Sequence, residues 1–486
     1  VTVLTQPSGQ ICTITNGSGT VTNAPITNVA ISCASGSANV AATVSGLLPN
    51  TRVVLQNNGH DDLSIASSGI TTNFNTPVDS GSQYAVTVLA QPQGATCTVE
   101  SNASGTLASA NIIIAVTCGS IIATGEGHTC ALTNSGAVLC WGLNDYGQLG
   151  IGTTTNSTTP QTVAGLPSGV LSITSGSNSI CALTNAGAVW CWGDNDAGQL
   201  GTGTYTQSSV PVQVKDTTGA AALNGVVGIA SGQNHSCAVT SAGAAYCWGD
   251  NSEGELGNGT ETGSNIPVPV SRLSTGMATI SAGSGFSCAV TTSEMALCWG
   301  EGGAGQLGNG NAVDSTTPVT VMDPAGKEPI GGIVAISAGL ENACALTSGE
   351  TLMCWGANDL NHLGGGTALS PANIPEQVLD STGSVPLAGV IAITVGQSHS
   401  CAVTSLGSAL CWEDNAASPA PVSGLSGGVT AIAAGSQHTC AVTSAGAAQC
   451  WGSNLDGQLG DGGSAATSPA PVPPLGVSDI GTLQLF

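Results

Sequence analysis

Seven times in this chain two cysteines stand ten positions apart, and each time the second is followed at once by tryptophan. The pairs are Cys130 with Cys140, Cys181 with Cys191, Cys237 with Cys247, Cys288 with Cys298, Cys344 with Cys354, Cys401 with Cys411, and Cys440 with Cys450. Place Cys130 opposite Cys140 in an antiparallel pair, and Ala131 faces Leu139, Leu132 faces Val138 and Thr133 faces Ala137. Asn134-Ser135-Gly136 is then left as the turn, with glycine where a left-handed conformation is needed. Directly opposed Cα atoms lie roughly 4.5–5.5 Å apart, within disulfide reach. The spacing predicts a hairpin stapled across its strands in every repeat, each bridge contributing about 2–3 kcal/mol at most by restricting the unfolded chain. A zinc knuckle would bring its cysteines closer together, and a redox dithiol more often reads Cys-x-x-Cys.

Successive pairs begin 51, 56, 51, 56, 57 and 39 residues apart, so the hairpin is one part of a larger unit. Each unit holds four short strand-like runs, exemplified by "VVGIASG", "HSCAVT", "AAYCWG" and "VPVQV". Four strands repeated seven times predict a seven-bladed β-propeller around a central channel, because a lone four-stranded unit cannot bury its apolar face. The sixth repeat is short because its "GQLG" loop is missing and Glu413 replaces the glycine after tryptophan. The fifth reads "NHLG" in that loop.

The recurring text, "GxxHxCAVTxxGxxxCWGxNxxGQLGxG" with a distal "PxxV", resembles the regulator-of-chromosome-condensation repeat family from about Gly119 to Phe486. The resemblance implies a seven-bladed propeller whose loop faces can serve as protein-binding surfaces. The founding member of that family promotes guanine-nucleotide exchange on a nuclear GTPase. The acidity and apparent bridging of this chain argue against carrying that role over.

A second repeat precedes the first. Cys12 and Cys33 are 21 residues apart, as are Cys97 and Cys118, and "VTVLTQPSGQICT" parallels "VTVLAQPQGATCT". Residues 35–118 read as a β-sandwich stapled by Cys97 and Cys118, and residues 1–34 as the closing strands of another. These segments resemble Ig-like tandem repeats of bacterial surface proteins. The expected organisation is therefore all-β: a partial sandwich at 1–34, a sandwich at 35–118 and a propeller at 119–486.

Twenty-eight acidic side chains face four basic ones, a formal charge of −24. Such a chain repels phosphate backbones and anionic lipid, which argues against nucleic acid as a partner. The longest apolar runs, such as "NIIIAV", are strand length, and no membrane span is expected. The eighteen cysteines suggest a secreted, extracellular or cell-surface protein.

Other candidate sites compete with plainer readings. His128, His235, His399 and His438 precede the first cysteine by two positions, but Ser179, Phe286 and Asn342 fill the same place elsewhere. No imidazole ring is complete, and a framework role is expected. The repeated tryptophans read as wedges between blades. "GDNDAG" at 193–198 and "GDNSEG" at 249–254 are candidate calcium loops, although neither has the full spacing of one. Sequons occur at Asn16, Asn102, Asn156, Asn234 and Asn258. No catalytic motif is present, so the chain is expected not to be an enzyme. The leading expectation is a bacterial surface protein of structural or adhesive type. It would assemble into a fibre through its β-sandwich segments, with other copies of itself or neighbouring sandwich domains as partners. The competing expectation is a monomeric secreted module whose propeller face binds a surface protein or glycan.

Overall fold

The computed structural model describes residues 1–4, 10–20, 23, 25–35, 37–45, 53–65, 71–90, 95–99, 103–107, 111–133, 136–358, 363–365, 371–413, 418–443 and 446–476. Within some of its strands the backbone alone is described, Cys33, Cys97 and Cys118 among them. The turn residues Asn134 and Ser135, the start of the "NHLG" loop and the sequon at Asn102 lie outside the described residues. Every regular element among the described residues is a strand. They divide into two compact units, one of Val1–Ser45, Arg52–Gln91 and Cys97–Thr117, the other dominated by Cys118–Phe486.

The second unit is seven four-stranded antiparallel sheets in succession, each built from one stretch of chain with its strands in sequence order. In the third sheet these are Val226–Ser231, His235–Thr240, Ala245–Gly249 and Ser264–Pro269. The two middle strands of every sheet pair cysteine with cysteine; in the first, Ala131 faces Leu139 and Leu132 faces Val138. A disulfide joins each pair. Cys130 is bonded to Cys140, Cys181 to Cys191, Cys237 to Cys247 and Cys288 to Cys298. In the last three sheets Cys344 is bonded to Cys354, Cys401 to Cys411 and Cys440 to Cys450. Their Cα atoms stand 4.0 Å apart at Cys237 and Cys247 and 4.1 Å at Cys130 and Cys140, closer than the 4.5–5.5 Å expected of opposed strands. The bridge draws the two strands together. The hairpin turns want a left-handed residue. Gly187 and Gly243 supply it at φ 72° and 75°, whereas Glu294 and Glu350 adopt φ 62° and 60° in the fourth and fifth.

In every sheet but the sixth, the tryptophan after the second cysteine sits where pairing with the outermost strand slips, between Cys191 and Gly193 in the second sheet. Such a bulge re-aims a side chain. The indole turns into the preceding sheet, where Trp192 donates its N–H to the Gln148 carbonyl at 2.9 Å and Trp248 to Gln199 at 2.9 Å. Trp141 donates to the Gln458 carbonyl at 2.8 Å, so the seventh sheet locks onto the first. Six of these indoles are fully buried, but Trp451 is only half-buried. The repeat before it is the one lacking the "GQLG" loop.

Seven glycines complete the closure: Gly125, Gly176, Gly232, Gly283, Gly339, Gly396 and Gly435. A Cβ on any of them would collide with the carbonyl oxygen of the next; one on Gly435 would stand 2.5 Å from the Gly125 oxygen. One apolar cluster accordingly holds Ala431 and Val442 of the seventh sheet, Ile122 and Trp141 of the first and Ile173 of the second.

The first unit contains two four-stranded sheets. One orders Ala95–Val99, Ile112–Ser120, Val40–Ser45 and Thr71–Asn73; the other orders Ser104–Thr106, Gln83–Ala90, Val53–Asn57 and Asp61–Ile65. Their inward positions alternate as a half-buried strand should, with Val53, Leu55, Leu63 and Ile65 in the core. Gln10–Thr15 and Ala30–Ser35 form a separate two-stranded sheet that sets Cys12 opposite Cys33, and Cys12 is disulfide-bonded.

Candidate functional site, an acidic loop face around the channel mouth

In each propeller sheet the strands alternate direction, so the loops after the first and third strands leave one face. The hairpin turns and the connections between sheets leave the other. Charge divides with the faces. The first face carries Glu126 and Asp145 in the first sheet, Asp194 and Asp196 in the second, and Asp250, Glu253, Glu255 and Glu261 in the third. Glu301 and Asp314 follow in the fourth, Glu341 in the fifth, Glu413 in the sixth, and Asp456 and Asp461 in the seventh. Among the described residues no Lys or Arg accompanies these fourteen carboxylates. The opposite face holds Asp216, Glu294, Asp323, Glu328, Glu350 and Asp380, together with Lys215, Arg272 and Lys327.

The carboxylates of the first face feel one another. Burial raises the Glu301 carboxyl, and Glu341, Glu253 and Asp314 push it further the same way. Burial likewise raises Asp456, with Asp145 adding to it. Glu255 is the extreme case, pushed up to about 7, first by burial and then by Asp250 and Glu253. It occupies the glutamine position of the loop. In the second sheet Gln199 there accepts from the Ala197 N–H at 3.0 Å and donates from Nε2 to Asp194 at 2.9 Å. Glu255 accepts from the Glu253 N–H at 3.0 Å but has no amide to offer Asp250, which stands where Asp194 does. Its raised carboxyl means that stability falls as pH rises from 4.5 through about 7. Glu255→Gln is therefore expected to stabilise the fold by about 2 kcal/mol above pH 7, after allowing for its solvent edge, and by nothing below pH 4.5. Urea unfolding at pH 8 and pH 4 checks both halves.

The same face holds the mouth of the channel, a cavity of about 90 Å³. Its rim is the residue after each ring glycine: Glu126, Ser177, Gln233, Ser284, Leu340, Gln397 and Ser436. Neighbouring rim backbones bond around the circle, Glu126 N–H to the Ser177 carbonyl at 3.0 Å and Ser284 N–H to Gly339 at 3.0 Å. Side chains do the same: the Ser436 hydroxyl donates to Gln397 Oε1 at 2.6 Å, and Ser284 donates to Gln233 Oε1.

The histidines lie behind this rim, between sheets. His235 Nε2 meets Ser287 Oγ at 2.8 Å, His438 meets Thr129 at 2.9 Å, and His128 meets Ser175 at 3.0 Å. Each hydroxyl already donates to a carbonyl: Ser287 to Glu255, Thr129 to Gln458 and Ser175 to Gly176. The imidazole Nε2–H must then be the donor, which leaves Nδ1 of all three buried without a partner. Burial holds His128 and His438 at about 3 and His235 at about 4, so they are neutral at neutral pH. His399 Nε2 meets Thr439 Oγ1 at 2.6 Å.

In the calcium candidates the carboxylates face their own turns. Asp194 accepts from the Asp196 N–H at 3.1 Å, and Asp250 from Asn251 and Ser252 at 2.8 and 3.2 Å. Among the described residues no three His, Cys, Asp or Glu side chains come together as a metal site. The bridged cysteines of the propeller belong to the core: Cys130, Cys247, Cys298, Cys354 and Cys450 are inaccessible, and only Cys411, in the shortened sixth repeat, is half-buried. What sequence reasoning missed was the sidedness of the charge and the glycine ring. The glycine of "GxxH" was in plain view, but its neighbour belongs to the next repeat.

Comparison with known proteins sets this geometry in a family. Two descriptions of the regulator of chromosome condensation (RCC1) repeat match the chain, one at residues 135–183, 186–239, 242–290 and 295–346. The other matches at 113–148, 170–199, 226–255, 278–306, 333–361 and 429–458. The chain belongs to the RCC1 repeat family. Among curated relatives, the E3 ubiquitin-protein ligase HERC2 of Homo sapiens is 32% identical over 285 residues, 58% of this chain and 6% of HERC2. The ultraviolet-B receptor UVR8 of Arabidopsis thaliana is 32% identical over 257 residues, 52% of this chain and 56% of the receptor. The chain thus spans less than two thirds of either relative. The crystal structure of Prp20p from Saccharomyces cerevisiae, described with its binding to Gsp1p and histones, superposes with a TM-score of 0.59 at 21% identity. That superposition covers 73% of this chain and 87% of Prp20p, and it supports an RCC1-type β-propeller fold. These RCC1 relatives overturn the expectation of a bacterial adhesive fibre subunit: the matched curated proteins are an E3 ubiquitin-protein ligase and an ultraviolet-B receptor, and neither supports that role.

Proposed function

We propose that this RCC1-repeat chain is a protein-binding propeller of regulatory type, whose carboxylate-rich face docks a basic segment of a partner protein. The observation that carries the reading is the absence of any Lys or Arg among the fourteen described carboxylates of that face. Unneutralised carboxylates that raise one another's proton affinity gain most from a cationic partner, which also steers its approach. The seven bridges support work in an oxidising compartment, outside the cell or at its surface. We further read the seven sheets as seven blades of one ring, supported by the hydrogen bond from the Ser436 N–H to the Gly125 carbonyl at 3.2 Å. The two four-stranded sheets of the amino-terminal unit support an Ig-like sandwich.

Fluorescence anisotropy of labelled dodecalysine with the full chain tests the docking face. Binding is expected to weaken steeply between low salt and 0.5 M NaCl, while dodecaglutamate stays unbound. Replacing Glu253, Glu301 and Glu341 together by Gln is expected to weaken binding at least tenfold. The matching triple change at Glu294, Glu328 and Glu350 on the other face should cost less than twofold. Equal losses from the two sets, or no binding at all, would overturn the reading.

A further inference from the structure

The rim of the channel is not uniform. Glu126 is its one charged member and is exposed, whereas Leu340, four sheets further round, is its one large apolar member and is half-buried. Between them stand two Ser–Gln pairs, Ser284 with Gln233 and Ser436 with Gln397, whose hydroxyl protons are already committed to the amide oxygens. Their remaining capacity on the serine oxygens is for accepting. Deeper in the same cavity, Ser231 is 7% exposed, and its Oγ has no hydrogen-bond partner. Thr124, also in the cavity wall, has an Oγ1 that is likewise buried and unpartnered. Both hydroxyl oxygens are shut off from the open space of the cavity, so the groups that an entering side chain meets are those of the rim.

We propose that the channel mouth is a socket for a single lysine side chain of the docked partner, an inference that rests on the acidic face being the docking surface. Lysine combines a compact ammonium with three donors and an apolar stem. Glu126 and the serine oxygens receive the ammonium, and Leu340 packs against the methylenes. The cavity is small, about 90 Å³, which suits the end of one extended side chain and not a folded segment. The wall is closely packed at the ring glycines, none of which has room for a Cβ beside the carbonyl of the next sheet.

Methyl NMR of the full chain, with the Leu340 resonance identified by its loss in Leu340→Ala, separates this inference from the docking reading. The probes are dodecalysine and the same peptide with every ε-amine trimethylated, which keeps its charge but has no N–H to donate. Dodecalysine is expected to shift the Leu340 methyls and to bind at least fivefold tighter than the trimethylated peptide. Glu126→Gln, at an exposed position, is expected to abolish most of that difference. Equal binding of the two peptides with Leu340 unmoved overturns the socket and leaves the docking face standing. Failure of both peptides to bind overturns the docking face itself. A Leu340 shift of equal size with magnesium chloride alone overturns the lysine assignment in favour of a hydrated cation.

Discussion

Lowering the pH from 7 to 5 is expected to remove about 4 kcal/mol from the stability of the propeller, read as a fall in urea midpoint or Tm. The cause is three imidazoles that fold neutral. His128 and His438 hold folded values of about 3 and His235 about 4, against 6.5 when exposed. A base with a depressed folded value contributes its full stability above 6.5 and loses it as the pH falls toward the folded value, because the unfolded chain takes up the proton first. At pH 5 each has lost about 2 kcal/mol, roughly 6 in all. Protonation of Glu255 runs the other way and returns about 1–2 kcal/mol over the same interval. His438→Phe is expected to cut the net pH dependence by about half, since about 2 of the roughly 4 kcal/mol come from this one imidazole. The fourth sheet already accommodates Phe286 at the matching position, fully buried. A stability curve flat between pH 7 and 5 would mean that the imidazoles are hydrated in the folded chain.

Gly232→Ala is expected to cost about 2–3 kcal/mol. Its Cβ would overlap the Gly283 carbonyl oxygen, and on the other side the His235 ring lies at 2.6 Å. Neither can give way easily: the carbonyl belongs to the next sheet and the imidazole is bonded to Ser287. Gly228→Ala in the same strand is the control. Nothing lies within 4 Å of its Cβ, and the change should be neutral or stabilise by about 0.5 kcal/mol through the unfolded chain. Parallel denaturant curves of the two variants measure the difference. Equal stabilities would show that the ring of glycines is looser than its geometry states.

How much of this was legible beforehand varies with the distance over which each cause acts. The hairpin register is a local matter, and Cys130 and Cys140 with the residues between them determine it within eleven positions. The glycines were visible in every repeat, yet a residue without a side chain advertises nothing. Its meaning comes from a carbonyl one repeat away. Charge sidedness was hidden for a different reason. Asp194 and Asp216 are close in sequence, and only the order of the strands puts them on opposite faces. Glu255 in place of glutamine could be seen by aligning the repeats, but its burial and its nearness to Asp250 could not. The fibre expectation grew from reading residues 1–34 as a partial sandwich, and the relatives of the propeller overturned it.

Each of the seven propeller bridges closes within a single hairpin, at a sequence separation of ten. None of them sews one sheet to another. During synthesis each cysteine therefore finds its proper mate next door, before the following repeat has emerged, and mispairing has little opportunity. The converse is that no covalent bridge holds the circle itself, which rests on indoles, imidazoles, closely apposed backbones and the apolar side chains shared between sheets. A chain nicked once between two sheets would stay whole while folded, yet would part into two pieces in denaturant with every disulfide intact.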